Sequence, residues 1–228
     1  GSEYNDIDKQ AYRGQLFWEP SDELSVRAIG YYSKGQSNRA TEVQLDPDGL
    51  YLSLLKDTAD YLGRSDQFDG DIANYKSSFS VHSDSILEVR GGSLQLDYEL
   101  NNGITLTSLS SIQSWESTGF QNDMDGSPLD LVATNDRTED ESFGQEIRLT
   151  SPGGETVDWL AGVYYFTSEM EMGSKDQPRA IWGADAPALD AVLDARFGGL
   201  WSLIGASGAV GHGFNNWSRH EGESVAAF

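Results

Sequence analysis

Residues 93–100 read Ser-Leu-Gln-Leu-Asp-Tyr-Glu-Leu, an unbroken alternation that puts Leu94, Leu96, Tyr98 and Leu100 on one side and Ser93, Gln95, Asp97 and Glu99 on the other. A period of two is the strand period. The same alternation marks residues 12–18, where Tyr12, Gly14, Leu16 and Trp18 oppose Arg13, Gln15 and Phe17. It returns from Leu24, where Leu24, Val26 and Ala28 face away from Ser25 and Arg27. Ile147 and Leu149 oppose Glu146 and Arg148, and Trp159, Ala161, Val163 and Tyr165 share a side. The pattern predicts hairpins over about 12–33, 86–116 and 143–167, with a last strand from about Trp217. Seven strands are expected in all.

Turn chemistry sits inside each hairpin. Glu19-Pro20-Ser21-Asp22-Glu23 closes the first, Asn101-Asn102-Gly103 the second and Ser151-Pro152-Gly153-Gly154-Glu155 the third. Asn and Gly accept positive φ at little cost, so the second is a strong hairpin signal. Between hairpins the pattern is lost over about 34–84, 117–140 and 168–216. The first gap carries a helix-like stretch over 50–62. The last carries one over 188–204, with Leu189, Val192, Leu193, Phe197, Leu200, Trp201 and Ile204 at helical spacing. Short turns alternating with long loops are the connection pattern of outer-membrane barrels, whose periplasmic turns are tight and whose extracellular loops are long. Seven strands leave two bare edges, which proteins avoid. The expected fold is therefore all-β: antiparallel transmembrane barrel strands, part of a larger barrel, with long extracellular loops carrying short helices.

Charge narrows the function classes. The chain carries 37 acidic and 15 basic residues, a formal net charge of -22, so no nucleic-acid partner is expected. There is no cysteine, hence no disulfide framework and no thiolate metal site. No apolar run reaches the roughly 20 residues of a spanning helix. That is no argument against a barrel, whose strands need about 9–11 alternating residues.

Four segments together resemble the barrel of TonB-dependent outer-membrane receptors. They are RGQLFWEPSDELSVRAIGYYS at 13–33, YELNNGITLTSLSSIQSWES at 98–117, DMDGSPLDLVATN at 123–135 and SFGQEIRLTSPGGETVDWLAGVYYF at 142–166. The resemblance implies a barrel of about 22 strands in the bacterial outer membrane, with an N-terminal plug that contacts TonB. Such a receptor takes up a scarce ligand: a siderophore, a vitamin, an oligosaccharide or a similar molecule. No plug or TonB box is read in these residues, and about two thirds of such a barrel is missing, so this chain is expected to be one segment of it. The alternative is a soluble secreted β binding module, such as a carbohydrate-binding sandwich. It accounts for the acidity and the aromatics but not for the alternation of connection lengths.

Several residues carry candidate chemistry. Tyr12, Trp18, Trp159, Tyr164 and Tyr165 are placed for an aromatic girdle at a lipid interface. Arg13, Arg27 and Arg148, on the polar side of their strands, and Phe197 and Trp201, in the last gap, are the candidate ligand-binding residues. Asp123-Met124-Asp125-Gly126 opens like a calcium loop, yet position twelve is Thr134 rather than Glu, so the EF-hand pattern fails. Asp123 and Asp125 remain candidate ligands for a calcium ion in an acidic loop, which could also bridge to lipopolysaccharide through divalent ions. No other cofactor is expected. His82, His212 and His220 lack zinc spacing, and no nucleophile elbow occurs, so no enzyme is expected.

Overall fold

The computed structural model describes residues 7–38, 49–65, 80, 84–154, 156–173, 175, 178–199, 210–211 and 213–228. Nine strands form one antiparallel open sheet. Seven are long and follow one another as a meander: β1 (Ile7–Ser21), β2 (Leu24–Asn38), β3 (Asp84–Glu99), β4 (Thr105–Asp123), β5 (Val132–Thr150), β6 (Leu160–Met172) and β9 (Ser218–Ala227). Two short strands, β7 (Ala180–Trp182) and β8 (Gly213–Phe214), extend the sheet beside β5 beyond the reach of β6. Two helices, α1 (Leu50–Tyr61) and α2 (Ala186–Phe197), lie in the connections β2–β3 and β7–β8. None of the described helices is long and apolar enough to cross a membrane, which says nothing of a β-barrel.

Each strand is longer than its apolar alternation. The first turn contracts to Asp22 and Glu23, because Glu19 and Pro20 continue β1 through a register shift between Trp18 and Ser21. Such a bulge on an edge strand tolerates a proline, which cannot donate to the ladder. The second turn closes with Leu100 N donating to the Ile104 carbonyl and Gly103 N to the Leu100 carbonyl, both at 2.8 Å, and Gly103 takes φ +79°. The segment 117–140, expected as a loop, is mostly strand. β4 and β5 pair from Thr105↔Thr150 out to Asp123↔Ala133, leaving 124–131 as the connection. Asp136, Glu139 and Asp140 therefore sit in β5, not in a loop. The last strand, expected from Trp217, runs from Ser218 and includes Val225 and Ala226 despite their lack of alternation.

The described buried apolar cluster is not in the sheet. Leu55 and Ala59 of α1 pack with Leu129 and Leu131 of the β4–β5 connection, and Leu62 and Leu189 close the cluster. Helix α2 is shorter than the expected 188–204. Gly198 adopts the left-handed conformation at φ 79° and ends it, which a residue without a Cβ does at least cost.

Candidate functional site

Pairing fixes which side chains share a face, because directly opposed residues point the same way. One face carries cross-strand rows parallel to the sheet's short-turn end. Leu24, Tyr98, Leu106, Leu149 and Ala161 make the first row. Trp18, Val26, Leu96, Ser108, Ile147, Val163 and Ala227 make the second. Leu16, Ala28, Leu94, Ser110, Gln145, Tyr165 and Val225 form the third, and Ile112, Phe143, Thr167 and Glu223 stand in the fourth. These side chains are exposed: Leu16 is 62%, Trp18 58%, Leu94 43% and Val163 53% accessible. Leu94, Leu96, Tyr98, Ile147 and Leu149 thus share this face, while Gln95, Asp97, Glu146 and Arg148 share the other.

Beyond the fourth row the same face changes character. Tyr12 pairs with Tyr32 at the border, and Arg90, Glu141, Glu169 and Glu221 continue that row. The next holds Lys34, Glu88, Glu116, Glu139, Glu171 and Arg219. Carboxylates directly opposite one another repel. Arg219 offsets this by reaching Glu169 at 2.6 Å, Glu221 at 3.0 Å and Glu171 at 3.7 Å, and Arg137 reaches Glu116 at 3.1 Å and also Glu139. Of the five girdle candidates, Tyr12, Trp18 and Tyr165 lie on the apolar face. Trp159 precedes β6, in the turn that leads into it. Tyr164 falls on the opposite face, across from Glu146 and stacked on Phe166 at 6.4 Å between ring centroids.

The other face mixes polar and small residues with larger apolar and aromatic ones, among them Phe17, Ile29, Leu109, Trp115, Tyr164 and Phe166. Tyr31 lies over Gly91, directly opposite, and donates to Gln113 Oε1 at 2.9 Å on the next strand but one. A Cβ at position 91 would meet the Tyr31 ring and stand 2.7 Å from the Ile112 carbonyl, so only glycine admits this close approach. A concavity of about 480 Å³ follows, lined among others by Tyr31, Ser93, Ser111, Gln113, Ser142 and Phe166. Asp97 accepts from Gln95 and from Thr107, both at 2.6 Å. The candidate arginines separate here. Arg148 is paired with Glu146 at 3.3 Å. Arg27 instead lies over the Phe17 ring, 5.7 Å from its centroid, and Arg13 stands opposite Tyr31 on the edge strand.

At the end of the sheet opposite the short turns, the helices and the 124–131 connection form a cap. Asp123 and Asp125 are buried in it at 2% and 4% exposure. Asp123 Oδ1 accepts from Gly126 N at 2.6 Å, and its Oδ2 from Ser80 N at 3.1 Å. Asp125 accepts from Ser127 N at 3.2 Å and the Ser127 hydroxyl through one oxygen, and from Val132 N at 3.2 Å through the other. Their carboxylates tie the connection's main chain, and no group of three or more His, Cys, Asp or Glu able to hold a metal ion occurs among the described residues. Burial, reinforced by the neighbouring Asp123, pushes the Asp125 carboxyl up to about 6, and burial raises Asp123 as well. Asp185 ties α2 to the rest: its Oδ2 accepts from Arg64 at 2.7 Å and from Asp130 N at 2.9 Å. Arg196 joins α2 to α1 through Asp57 at 3.0 Å and Ser53 at 2.8 Å. Phe197 ends α2 with 47% of its surface exposed, and Trp201 lies outside the described residues.

Sequence reasoning missed Lys9, which the register places on the polar face with Arg13 and Arg27, and the Arg64–Asp185 pair, which joins residues 121 positions apart. The first had a signal in the alternation. The second had none. No family model, no curated protein and no solved structure matches the chain.

Proposed function

We propose that this chain forms part of the wall of an outer-membrane β-barrel, in a TonB-dependent receptor that takes up a scarce ligand. The observation that carries the reading is the exposed apolar band on one face of a sheet whose other face carries Arg13, Arg27, Gln95, Asp97, Glu146 and Arg148. From the row of Leu24 to that of Tyr32 is eight residues, about 27 Å along the strand. A tilt of about 40° reduces this to about 21 Å, close to the roughly 25 Å apolar band of such barrels. The Tyr12–Tyr32 pair then lies at the headgroup level, and the ionised rows stand in water beyond it. The opposite face, with Tyr31, Gln113, Asp97 and its serines, lines the lumen. The cap sits at the extracellular mouth.

The topology supports closure by further strands. β1 and β9 are the free edges of a seven-strand antiparallel meander, so they run in the same direction. Fully antiparallel closure needs an odd number of additional strands and an even total, the rule for single-chain bacterial barrels. A barrel of about 22 would take about fifteen more. In this reading the partners are the ligand, lipopolysaccharide along the ionised rows, and TonB through a plug.

The test is solution behaviour together with lipid contact. The chain is expected to stay monodisperse only in detergent or bilayers. Lipids brominated along their acyl chains are expected to quench tryptophan emission, and to quench it less in a Trp18→Phe variant. Monodispersity in plain buffer with no quenching would sink the membrane reading and leave the secreted binding module in its place.

A further inference from the structure

The first hairpin departs from the charge of the rest of the chain. Against 37 acidic and 15 basic residues overall, the hairpin 7–38 contains four carboxylates, Asp8 and, at its turn, Glu19, Asp22 and Glu23, balanced by four bases. Register divides those bases between the faces. Lys34 points to the apolar side and meets Glu88 at 3.8 Å. Lys9, Arg13 and Arg27 point to the polar side, where Lys9 opposes Gly35, Arg13 opposes Tyr31 and Arg27 opposes Phe17. Phe17 stands four residues from Arg13, and Arg13 four from Lys9, so the three cations recur about every 13 Å along the hairpin.

These cations are not neutralised within the sheet. Among the described residues none of the three joins an ion pair, nor do Lys56, Arg90 and Lys175, whereas Lys34, Arg64, Arg137, Arg148, Arg179, Arg196 and Arg219 do. Two carboxylates on that face are committed elsewhere, Asp97 to Gln95 and Thr107 and Glu146 to Arg148, and Glu19 and Glu23 at the turn end make no ion pair to the three among the described residues. Ser25, Ser33 and Gly35 beside them on β2 are too small to cover the charged heads. Arg27 is held over Phe17, which orders its guanidinium without satisfying its donors.

We propose that Lys9, Arg13 and Arg27 form a ladder of fixed cations for a small, multiply charged anion, a polycarboxylate or a phosphorylated compound. The inference rests on the barrel reading for its place in a lumen, and it narrows the ligand of that barrel to an anion. Rungs about 13 Å apart are too distant for one small anion to bridge with full contact, so it is held by one rung and passed to the next. Rings and rows of Arg and Lys serve anion pores in this way, binding strongly enough to admit the ion and weakly enough to release it. Elsewhere the chain's excess of carboxylates repels an anion, which leaves this hairpin as its path along the wall.

The experiment measures binding of citrate and of inorganic pyrophosphate to the full chain in detergent, by calorimetry at low ionic strength. Binding is expected, weakening as salt approaches about 0.15 M. In the triple variant Lys9→Gln, Arg13→Gln, Arg27→Gln it is expected to weaken about tenfold or more, and in Lys34→Gln, on the opposite face, to stay unchanged. Should the triple variant lose its β circular-dichroism spectrum, Arg13→Gln and Arg27→Gln singly are each expected to weaken binding about threefold. Preference for citrate or for pyrophosphate assigns the ligand's charge to carboxylate or phosphoryl groups, and either supports the ladder. No binding by the parent chain, equal affinity in the triple variant, or an equal loss in Lys34→Gln would overturn it. Solubility without detergent would sink the barrel reading, while the citrate comparison still decides the ladder.

Discussion

Placing one arginine on each face of β3 separates the two environments by a measurable energy. Leu96 lies in the second apolar row between Val26 and Ser108, and Gln95 beside it points the other way, between Arg27 and Leu109. In a bilayer, Leu96→Arg puts a guanidinium within the apolar band, at about 2–4 kcal/mol near the midplane. Gln95→Arg puts the same group on the polar face. There it meets Arg27 across the strand pair, a like-charge contact of about 0.2–1 kcal/mol, offset by Asp97, which already accepts a hydrogen bond from position 95 at 2.6 Å. The expected difference is about 2–3 kcal/mol, a factor of about 30–150 in the folded-to-unfolded ratio. Urea titration of the chain refolded into lipid vesicles, followed by tryptophan emission, reads it as a lowered midpoint for Leu96→Arg and little change for Gln95→Arg. Equal midpoints would refute the assignment of lipid to the leucine face. A larger loss for Gln95→Arg would reverse the faces.

Other outcomes follow from the cap and the last strand. A Cβ on Gly162 would stand 2.7 Å from the Phe228 ring and 3.0 Å from Arg148 Cβ, so Gly162→Val is expected to cost about 1–3 kcal/mol. It should speed hydrogen exchange at the Phe228 amide, which bonds the Gly162 carbonyl at 3.1 Å; an unchanged rate would contradict the packing. Arg64→Ala leaves the buried Asp185 carboxylate with only the Asp130 N–H, at an expected cost of about 1–3 kcal/mol, whereas Arg196→Ala breaks an exposed pair worth under about 1 kcal/mol. Limited proteolysis at α2 should rank them in that order. The Asp125 carboxyl is raised to about 6 in the folded chain from about 3.9 unfolded. The folded state therefore binds more protons between these values, and cap stability is greatest below about pH 4 and falls by about 2–3 kcal/mol as pH rises through 6. Proteolysis of the cap should be slower at pH 4.5 than at pH 7, and Asp125→Ala should weaken that dependence, leaving the smaller part that Asp123 contributes.

The strands were legible where one face is apolar, and only there. Residues 93–100 alternate because β3 sets Leu94, Leu96 and Tyr98 on one face and Gln95 and Asp97 on the other. That constraint writes a period of two into the sequence. Asn101-Asn102-Gly103 could be read as a turn for an equally local reason, its tolerance of positive φ. Past the fourth row one face is charged, with Glu116, Glu139 and Glu171, and the other mixes Val89, Trp115 and Met170 with Ser33, Ser117 and Thr138, so the period is weak there. The outer ends of β4, β5 and β6 consequently looked like loops, and hydrogen bonding to a neighbour already in place makes them strands. The helix 188–204 was overextended because its apolar spacing continues past Gly198, whose left-handed φ stops the backbone. Asp123 and Asp125 open an acidic run in the sequence, and burial beside Ser80, Ser127 and Val132 sets main-chain donors against their carboxylates. Arg148 meets Glu146 two residues along its own strand, a pair the sequence already shows, while no ion pair to Arg13 or Arg27 occurs among the described residues. The sequence by itself determined the strand faces and the tight turns, since both depend on residues within a few positions. Strand length, the α1–α2 cap and the unpaired cations depend on what lies opposite, across tens of residues, and the tertiary structure decided them.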